Sequence, residues 1–257
     1  MPAALSETWI VFSRAMSISL RNPVWVIFGV ASPILYLVLF GPLLTRLPLT
    51  PGGNGASGTD AWQVFVPGLL VQLGMFGAAF VGFGLVAEWR AGVIERMRVT
   101  PASRTALLMG RVLRDAVVLI VQAVILVVAG LAFGLRAPVA GVAAAVVLTG
   151  LLGIAFASLS YAAALRLRSE DALAPLVNGI ALPLLLLSGI LLPMSLAPDW
   201  LRYTSMASPL THVVDGMREL FIGSAWSATA IWGYVATAGL VVVGLAFGTA
   251  TFRSRSA

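Results

Sequence analysis

The sequence predicts an all-α integral membrane protein with six transmembrane helices, an N-terminal interfacial amphipathic helix, and external re-entrant helices between spans five and six. Two observations lead to this class. Hydrophobic residues form 60% of the 257 residues and charged residues only 10%, which lies outside the range of soluble proteins. Six apolar stretches also reach the length of about 20 residues that a membrane-crossing helix needs. We therefore treat residues 1–257 as one transmembrane domain.

Each predicted span lacks charged side chains, which are unfavourable at the centre of a bilayer. The six ranges are 24–44, 65–87, 116–135, 138–165, 172–192 and 225–252. Only a very short connection separates spans three and four in the sequence, which predicts a tight helical hairpin. The first apolar run has 21 residues, more than the roughly 7 to 15 of a signal-peptide core. We therefore expect it to be a retained helix.

The distribution of Arg residues predicts the orientation. All 16 basic residues are Arg, because the chain has no Lys. With the N-terminus inside, the connections on the cytoplasmic side hold all of them except Arg46, Arg136, Arg202 and Arg218. Cytoplasmic connections are enriched in basic residues, so we expect a multi-pass protein of the bacterial cytoplasmic (inner or cell) membrane with both termini in the cytoplasm. The net charge of +6 does not predict nucleic-acid binding, because the Arg residues lie between apolar runs.

Residues 2–21 precede the first span and carry apolar side chains at helical spacing. This pattern is typical of an amphipathic helix that lies in the membrane interface. Asn22 and Pro23 end the pattern before span one, since the residue before a proline disfavours helical geometry. The alternative is a plain extension of span one.

Residues 88–104 form the most distinctive cytoplasmic stretch, with the sequence EWRAGVIERMRVTPASR. Charges of both signs flank a small apolar set, and Thr100-Pro101 ends any helix. A short amphipathic helix of this kind can dock into a groove on a partner. The alternative is a positively charged anchor without a partner.

The external segment 193–224 is too polar and too often interrupted by proline to span the membrane, yet it keeps several apolar side chains. We expect two short helices that dip into the outer interface. They form either a gate or a surface cap over the bundle. The candidate gate residues are Pro193, Trp200, Pro209, Asp215 and Arg218.

The sequence disfavours several kinds of chemistry. A P-loop needs a Lys on the phosphates, and this chain has none. A single histidine, His212, without any Cys cannot form a usual zinc site. The predicted spans contain no carboxylate, although ion-driven transporters usually have one near mid-membrane. Ser188 lacks the preceding Gly of a rhomboid-like protease. We therefore expect no catalytic residue, no metal and no directly bound cofactor.

Polar side chains within the spans are amides and hydroxyls. They are candidates for a substrate path, although hydrogen bonds between helices are their commoner use. The candidates for the path are Gln72, Gln122, Asn178 and Tyr161.

Small residues recur every four positions in spans two and six, at Gly74, Ala78 and Gly82 and at Gly244 and Gly248. This spacing allows close helix contact. The contacts lie within one bundle or between two subunits.

Two motifs give the chain a family resemblance. Residues 94–104, IERMRVTPASR, resemble the ERLR-x-TP-x-SR segment of the membrane subunits of ABC-2 type ABC transporters, particularly the daunorubicin-resistance drug exporter permeases. Met97 stands where that family usually has Leu. The run SGILLP at 188–193 and the residues that follow it, to Gly223, are similar to the family's segment after span five.

The resemblance implies a permease subunit without its own ATPase site, joined by two copies of an ABC ATPase that binds ATP and Mg, and by a second permease subunit as a homodimer or heterodimer. Its partners would also be membrane lipid and a small hydrophobic or amphipathic substrate, antibiotic-like or drug-like, that it exports. The alternatives are export of a lipid or lipid-linked glycan, or a non-transporting sensor or assembly role. Segment 88–104 would be the coupling helix, with Glu88, Arg90, Ile94, Glu95, Arg96, Met97, Arg98, Thr100 and Pro101 as its contact residues.

Overall fold

The structure, a computed structural model, describes residues 2–21, 24–44, 58–92, 103–191, 194 and 197–255. These ranges are helical apart from short connections, and they contain no strand. The helices are α1 (Pro2–Arg21), α2 (Val24–Leu44), α3 (Gly58–Ala79), α4 (Val81–Arg90), α5 (Arg104–Ala132), α6 (Val139–Leu167), α7 (Glu170–Leu187), α8 (Asp199–Met206), α9 (Pro209–Phe221) and α10 (Ala228–Arg255).

Six stretches of helix in these ranges are long and apolar enough to cross a membrane. The all-α fold with six transmembrane helices is thereby confirmed. The interfacial position of α1 and the re-entrant position of α8 and α9 remain predictions. The six candidate spans are Val26–Leu43, Ala61–Arg90, Thr105–Ala132, Val139–Leu167, Glu170–Leu187 and Ala228–Phe252.

The third span starts earlier than its predicted start at residue 116. Helix α5 begins at Arg104 and carries Arg111, Arg114 and Asp115 in its first half. Arg111 and Asp115 are 9% and 3% exposed. The hydropathy pattern breaks here because these side chains are charged, although Arg111 and Asp115 are buried against partners on α4 and α6.

The second span is interrupted once, at Phe80, between α3 and α4. Such a break leaves backbone groups without their helical partners, which is unfavourable away from water. The Ser160 hydroxyl of α6 donates to the Ala79 carbonyl at 2.6 Å and accepts the Gly82 N–H at 3.0 Å. One side chain on α6 therefore satisfies backbone groups on both sides of the break.

Two other spans approach helix α6 so closely that their glycines lie against its backbone. A Cβ atom at Gly82 of α4 would lie 2.7 Å from the Ser160 carbonyl oxygen, and one at Gly244 of α10 would lie 2.5 Å from the Ala155 carbonyl oxygen. A Cβ at Gly74 of α3 would lie 3.2 Å from the Thr149 carbonyl oxygen. The glycine stripes of spans two and six therefore pack within this bundle, against α6.

The hairpin between α5 and α6 is closed by a Schellman motif. Gly134 has φ +103°, a conformation that favours glycine. The Leu135 N–H donates to the Gly130 carbonyl at 3.0 Å and the Gly134 N–H to the Leu131 carbonyl at 3.1 Å. The turn also meets the second span, because the Gln63 side-chain amide donates to the Arg136 carbonyl. This geometry accounts for the short connection.

Three spans expose most of their surface. The share of buried residues is 22% in the α2 span, 11% in the α7 span and 22% in the α10 span, against 61% in the span formed by α3 and α4. The exposed residues of these helices are mainly apolar. Their outer faces are therefore suited to lipid or to another membrane subunit.

Replacing Gly244 by Ala is expected to destabilise the bundle. The new methyl group would meet the Ala155 backbone of α6 and force α10 away, at a cost of about 1 to 3 kcal/mol for overpacking. Gly239→Ala is the matched control on the same helix, since nothing lies within 4 Å of a Cβ there. Thermal unfolding of the purified proteins in detergent measures both. Equal unfolding temperatures for the two variants would contradict the close contact between α6 and α10.

Candidate functional site

The predicted coupling segment, residues 88–104, is described at its two ends. Glu88 and Arg90 lie in the last turn of α4. At the other end, Ser103 caps α5, and its hydroxyl accepts the Ala106 N–H at 3.3 Å. The remaining predicted contact residues lie outside the described residues: Ile94, Glu95, Arg96, Met97, Arg98, Thr100 and Pro101.

The first end of the segment is joined to α5 by an ion pair. A terminal nitrogen of Arg111 (Nη2) donates to Glu88 Oε2. The Arg111 side chain is 11% exposed and that of Glu88 39%. Arg111 is the buried member of this pair, and removing Glu88 would leave its charge uncompensated. The pair therefore holds the end of α4 against α5.

A second polar contact joins α5 to α6. The Tyr161 hydroxyl donates to Asp115 Oδ2 at 2.5 Å, and Arg114 Nη1 lies 3.0 Å from Asp115 Oδ1. Asp115 and Tyr161 are 3% and 1% exposed. We call Glu88, Arg111, Arg114, Asp115 and Tyr161 the ionic network. It connects α4, α5 and α6 on the side of the bundle where segment 88–104 begins.

Asp115 corrects the expectation that the spans contain no carboxylate. It lies inside the third candidate span, Thr105–Ala132, one residue before the predicted start. The sequence spacing could have indicated this carboxylate, because Arg111 and Asp115 are four residues apart and therefore share one face of a helix. Asp115 is already bound by Tyr161 and Arg114, so its position reflects helix packing and gives no support to ion-driven transport.

Weaker contacts link the end of α4 to the start of α7 and to the end of α6. Arg90 Nη1 lies 3.5 Å from Glu170 Oε1, with side chains 56% and 39% exposed. The Arg168 guanidinium lies 4.3 Å from the centre of the Trp89 ring. Exposed ion pairs contribute roughly 0 to 1 kcal/mol. The ion pair therefore orients the start of α7 more than it stabilises the bundle.

Helix α1 is fastened to the other end of segment 88–104. Glu7 Oε2 accepts the Ser103 N–H at 2.8 Å. This backbone hydrogen bond holds the pKa of the half-buried Glu7 carboxyl below its ordinary value. A Cβ at Gly110 would lie 2.7 Å from Val11 Cβ, so α1 and α5 also approach closely. Any displacement of the start of α5 is therefore shared by α1.

The four predicted path residues have different environments. The Gln122 amide donates to the Val26 carbonyl of α2 at 2.9 Å, and Tyr161 belongs to the ionic network. Gln72 is 6% exposed, whereas Asn178 is exposed and donates to Ala174 of its own helix at 3.1 Å. Two of the four thus bond between helices. None of them lines the cavity of about 370 Å³ between α3, α6, α7 and α10, and the substrate path remains a prediction.

The predicted external segment, residues 193–224, is fastened to the bundle by Arg218 of α9. Its Nε donates to the Val64 carbonyl of α3 at 3.2 Å, its Nη2 to the Gly189 carbonyl at 2.7 Å, and its Nη1 to Asp215 Oδ1 at 3.1 Å. Burial lowers the pKa of Arg218, and the Asp215 carboxylate opposes this effect. One guanidinium therefore joins α9 to the start of the second span and to the end of the fifth.

The other predicted gate residues lie in different surroundings. Pro209 is the first residue of α9, where a missing N–H has no cost. Trp200 on α8 is 69% exposed, and Pro193 lies outside the described residues. Helix α9 also meets α10 closely, because a Cβ at Gly216 would lie 2.8 Å from Gly233 Cα. Thus α9 is packed into the bundle while α8 is exposed.

Comparison with known proteins identifies the family. The family model described as ABC-2 type transporter matches residues 6–222. The chain belongs to the ABC-2 type transporter family. It is 27% identical over 260 residues to the daunorubicin resistance ABC transporter permease protein DrrB1 of Streptomyces coeruleorubidus, over 99% of this chain and 87% of that protein.

Two further relatives also carry permease names. A protein named as a transport permease, ycf38, of Cyanophora paradoxa is 27% identical over 224 residues, which cover 86% of this chain and 76% of that protein. A protein of Mycobacterium tuberculosis named as a doxorubicin resistance ABC transporter permease, DrrC, is 24% identical over 243 residues, or 93% of this chain and 85% of its own length.

Membership in the ABC-2 family makes this chain a multi-pass membrane permease, the kind of subunit that normally has no ATPase site of its own. The resemblance in the sequence is thereby confirmed. The matched region includes most of α1, both ends of segment 88–104, the ionic network and α9. In the parts of the chain that the structure describes, no group of three or more His, Cys, Asp or Glu side chains could hold a metal ion.

Replacing Tyr161 by Phe tests the ionic network. The variant removes the hydroxyl that donates to the buried Asp115 carboxylate, and an unsatisfied buried acceptor costs about 1 to 3 kcal/mol. Tyr234→Phe is the control, because the Tyr234 hydroxyl donates to the Ala225 carbonyl at 3.2 Å in a less buried place. We expect detergent unfolding to show the larger loss for Tyr161→Phe. A loss no greater than that of the control would exclude this contribution from the Tyr161–Asp115 contact.

Proposed function

We propose that this permease is the membrane subunit of an ATP-driven exporter in the bacterial cytoplasmic membrane. It moves hydrophobic or amphipathic, drug-like compounds out of the cell, and two copies of a separate ATPase subunit bind the ATP and Mg. Two of its relatives carry drug-resistance names. The observation that carries the proposal is the attachment of both ends of segment 88–104 to the bundle, by Glu88 at one end and Ser103 at the other.

The ionic network connects segment 88–104 to the helices that move during transport in this proposal. Closure of the ATPase subunits pushes on segment 88–104, which joins the end of α4 to the start of α5. Because Glu88 pairs with Arg111, these helices move as a unit, and the contact between Asp115 and Tyr161 carries the displacement to α6. Helix α1 follows through Glu7 and Ser103. The push on one cytoplasmic segment thus reaches four helices.

The exporter also needs a second permease subunit, either an identical or a related chain. The exposed apolar faces of α2, α7 and α10 supply surface for it. In a bilayer such faces gain little from leaving lipid, so a subunit contact depends on packing and hydrogen bonds. The exposed amide of Asn178 on α7 is the one in-span candidate from the sequence analysis that is available for such a contact.

The orientation can be measured with single cysteines, because the native chain has none. Ser254→Cys lies near the end of α10, and Val139→Cys begins α6 beside the α5–α6 hairpin. We expect a membrane-impermeant thiol reagent added to intact cells to label Val139→Cys and to label Ser254→Cys only after the cells are opened. The opposite labelling pattern would reverse the topology and place segment 88–104 outside.

Charge reversal within the coupling segment tests the transport mechanism. Glu95→Lys and Arg96→Glu should lower substrate export several-fold and release the ATPase or uncouple its hydrolysis, because the segment no longer matches its partner. Arg202→Glu on the exposed α8 is the control for a reversed charge at a distance. Affinity purification in mild detergent measures ATPase association, and transport into inverted vesicles measures export.

The outcomes separate the candidate functions. Association with an ATPase that is weakened by Glu95→Lys or Arg96→Glu, but not by Arg202→Glu, supports the exporter. Unchanged transport in both segment variants would remove the coupling role. Purification of an intact permease assembly without any ATPase would favour the sensor or assembly role, and stimulation of ATP hydrolysis by lipid or lipid-linked glycan alone would change the substrate class.

A further inference from the structure

An apolar, partly open cavity of about 370 Å³ lies between α3, α6, α7 and α10. Its volume is within the range of roughly 300 to 1,000 Å³ that is typical of ligand pockets. Met75, Phe156, Ile180 and Phe247 are among the side chains that line it. Its lining polar side chains are Ser160 and Arg166, and the Ser160 hydroxyl is already bonded to the backbone at the break between α3 and α4.

Arg166 is the charged group of this cavity. It lies in the last turn of α6, at the end of the bundle that also holds the ionic network. Its guanidinium lies 4.9 Å from the centre of the Phe247 ring, a cation–π contact that holds the charge beside the lining. Among the described residues, no carboxylate lies within ion-pair distance of Arg166 or lines the cavity.

Three neighbouring charged side chains already have partners. Glu170 faces Arg90, Glu88 faces Arg111, and Arg168 lies over the Trp89 ring. Arg166 therefore combines an available positive charge with an apolar cavity beside it. The complementary ligand has an anionic head and an apolar chain, and it reaches the cavity from the membrane.

We propose that this cavity holds an acyl chain of an anionic phospholipid whose phosphate pairs with Arg166. The guanidinium is suited to a phosphate because its N–H groups match phosphate oxygens in pairs. The acyl chain lies beside α7, where the bundle leaves the apolar side chains uncovered. This assignment needs only a membrane, so it is independent of the exported compound and of the ATPase.

Lipid retention by the purified full chain tests the site. The protein is equilibrated in detergent with equimolar phosphatidylglycerol and phosphatidylcholine and washed, and its bound lipids are counted by native mass spectrometry. We expect the wild type to retain phosphatidylglycerol preferentially. Arg166→Gln should lower this preference about fivefold, the factor that about 1 kcal/mol per Arg gives at an anionic lipid surface.

Two variants complete the experiment. Arg168→Gln is the matched control, since it removes the same charge two residues away, outside the lining. Ala163→Phe fills the cavity and keeps Arg166, so it should lower the retention of both lipids. The proposal is overturned if Arg166→Gln retains phosphatidylglycerol like the wild type, if the two arginine variants lose it equally, or if a folded Ala163→Phe protein retains the wild-type amount.

Discussion

Close approach to α6 is the constraint on which the other contacts of the bundle depend. Lipid is as apolar as the helix surfaces, so helices in a bilayer associate through packing and hydrogen bonds. Gly82 and Gly244 let α4 and α10 reach the α6 backbone. Ser160 uses this proximity to satisfy both sides of the break at Phe80. A larger side chain at Gly82 would separate the groups that these hydrogen bonds join, because its Cβ would meet Ser160 itself.

The ionic network depends on that packing. Tyr161 of α6 reaches Asp115 of α5 only while the two helices keep their register. Burying ions is unfavourable, and replacement by apolar side chains is often neutral or stabilising. The network therefore does not account for the stability of the bundle. Its physical effect is to penalise any arrangement of α4, α5 and α6 that leaves Arg111 or Asp115 without its partner.

The sequence predicts the fold well because membrane spans are long and their composition is distinctive. It also identifies the glycine stripes, although only the structure shows that Gly82 and Gly244 face α6 of the same chain. Hydropathy does not predict that Asp115 is buried within the third span, because the local sequence of a buried ion pair is the same as that of a solvated one. The contact between Glu7 and Ser103 joins residues 96 positions apart, and no pattern within a single sequence predicts such a pairing.

Helix α7 differs from the rest of the bundle in how it is held. Its start is near Arg90, its end is bonded through the Leu187 and Gly189 carbonyls to Thr211 and Arg218, and only 11% of its span is buried. Segments with little burial have the lowest free energy of local opening. A shift of α7 would change the cavity beside Arg166 without disturbing the glycine contacts on α6. The cavity can therefore change shape while the contacts that hold the other helices to α6 stay in place.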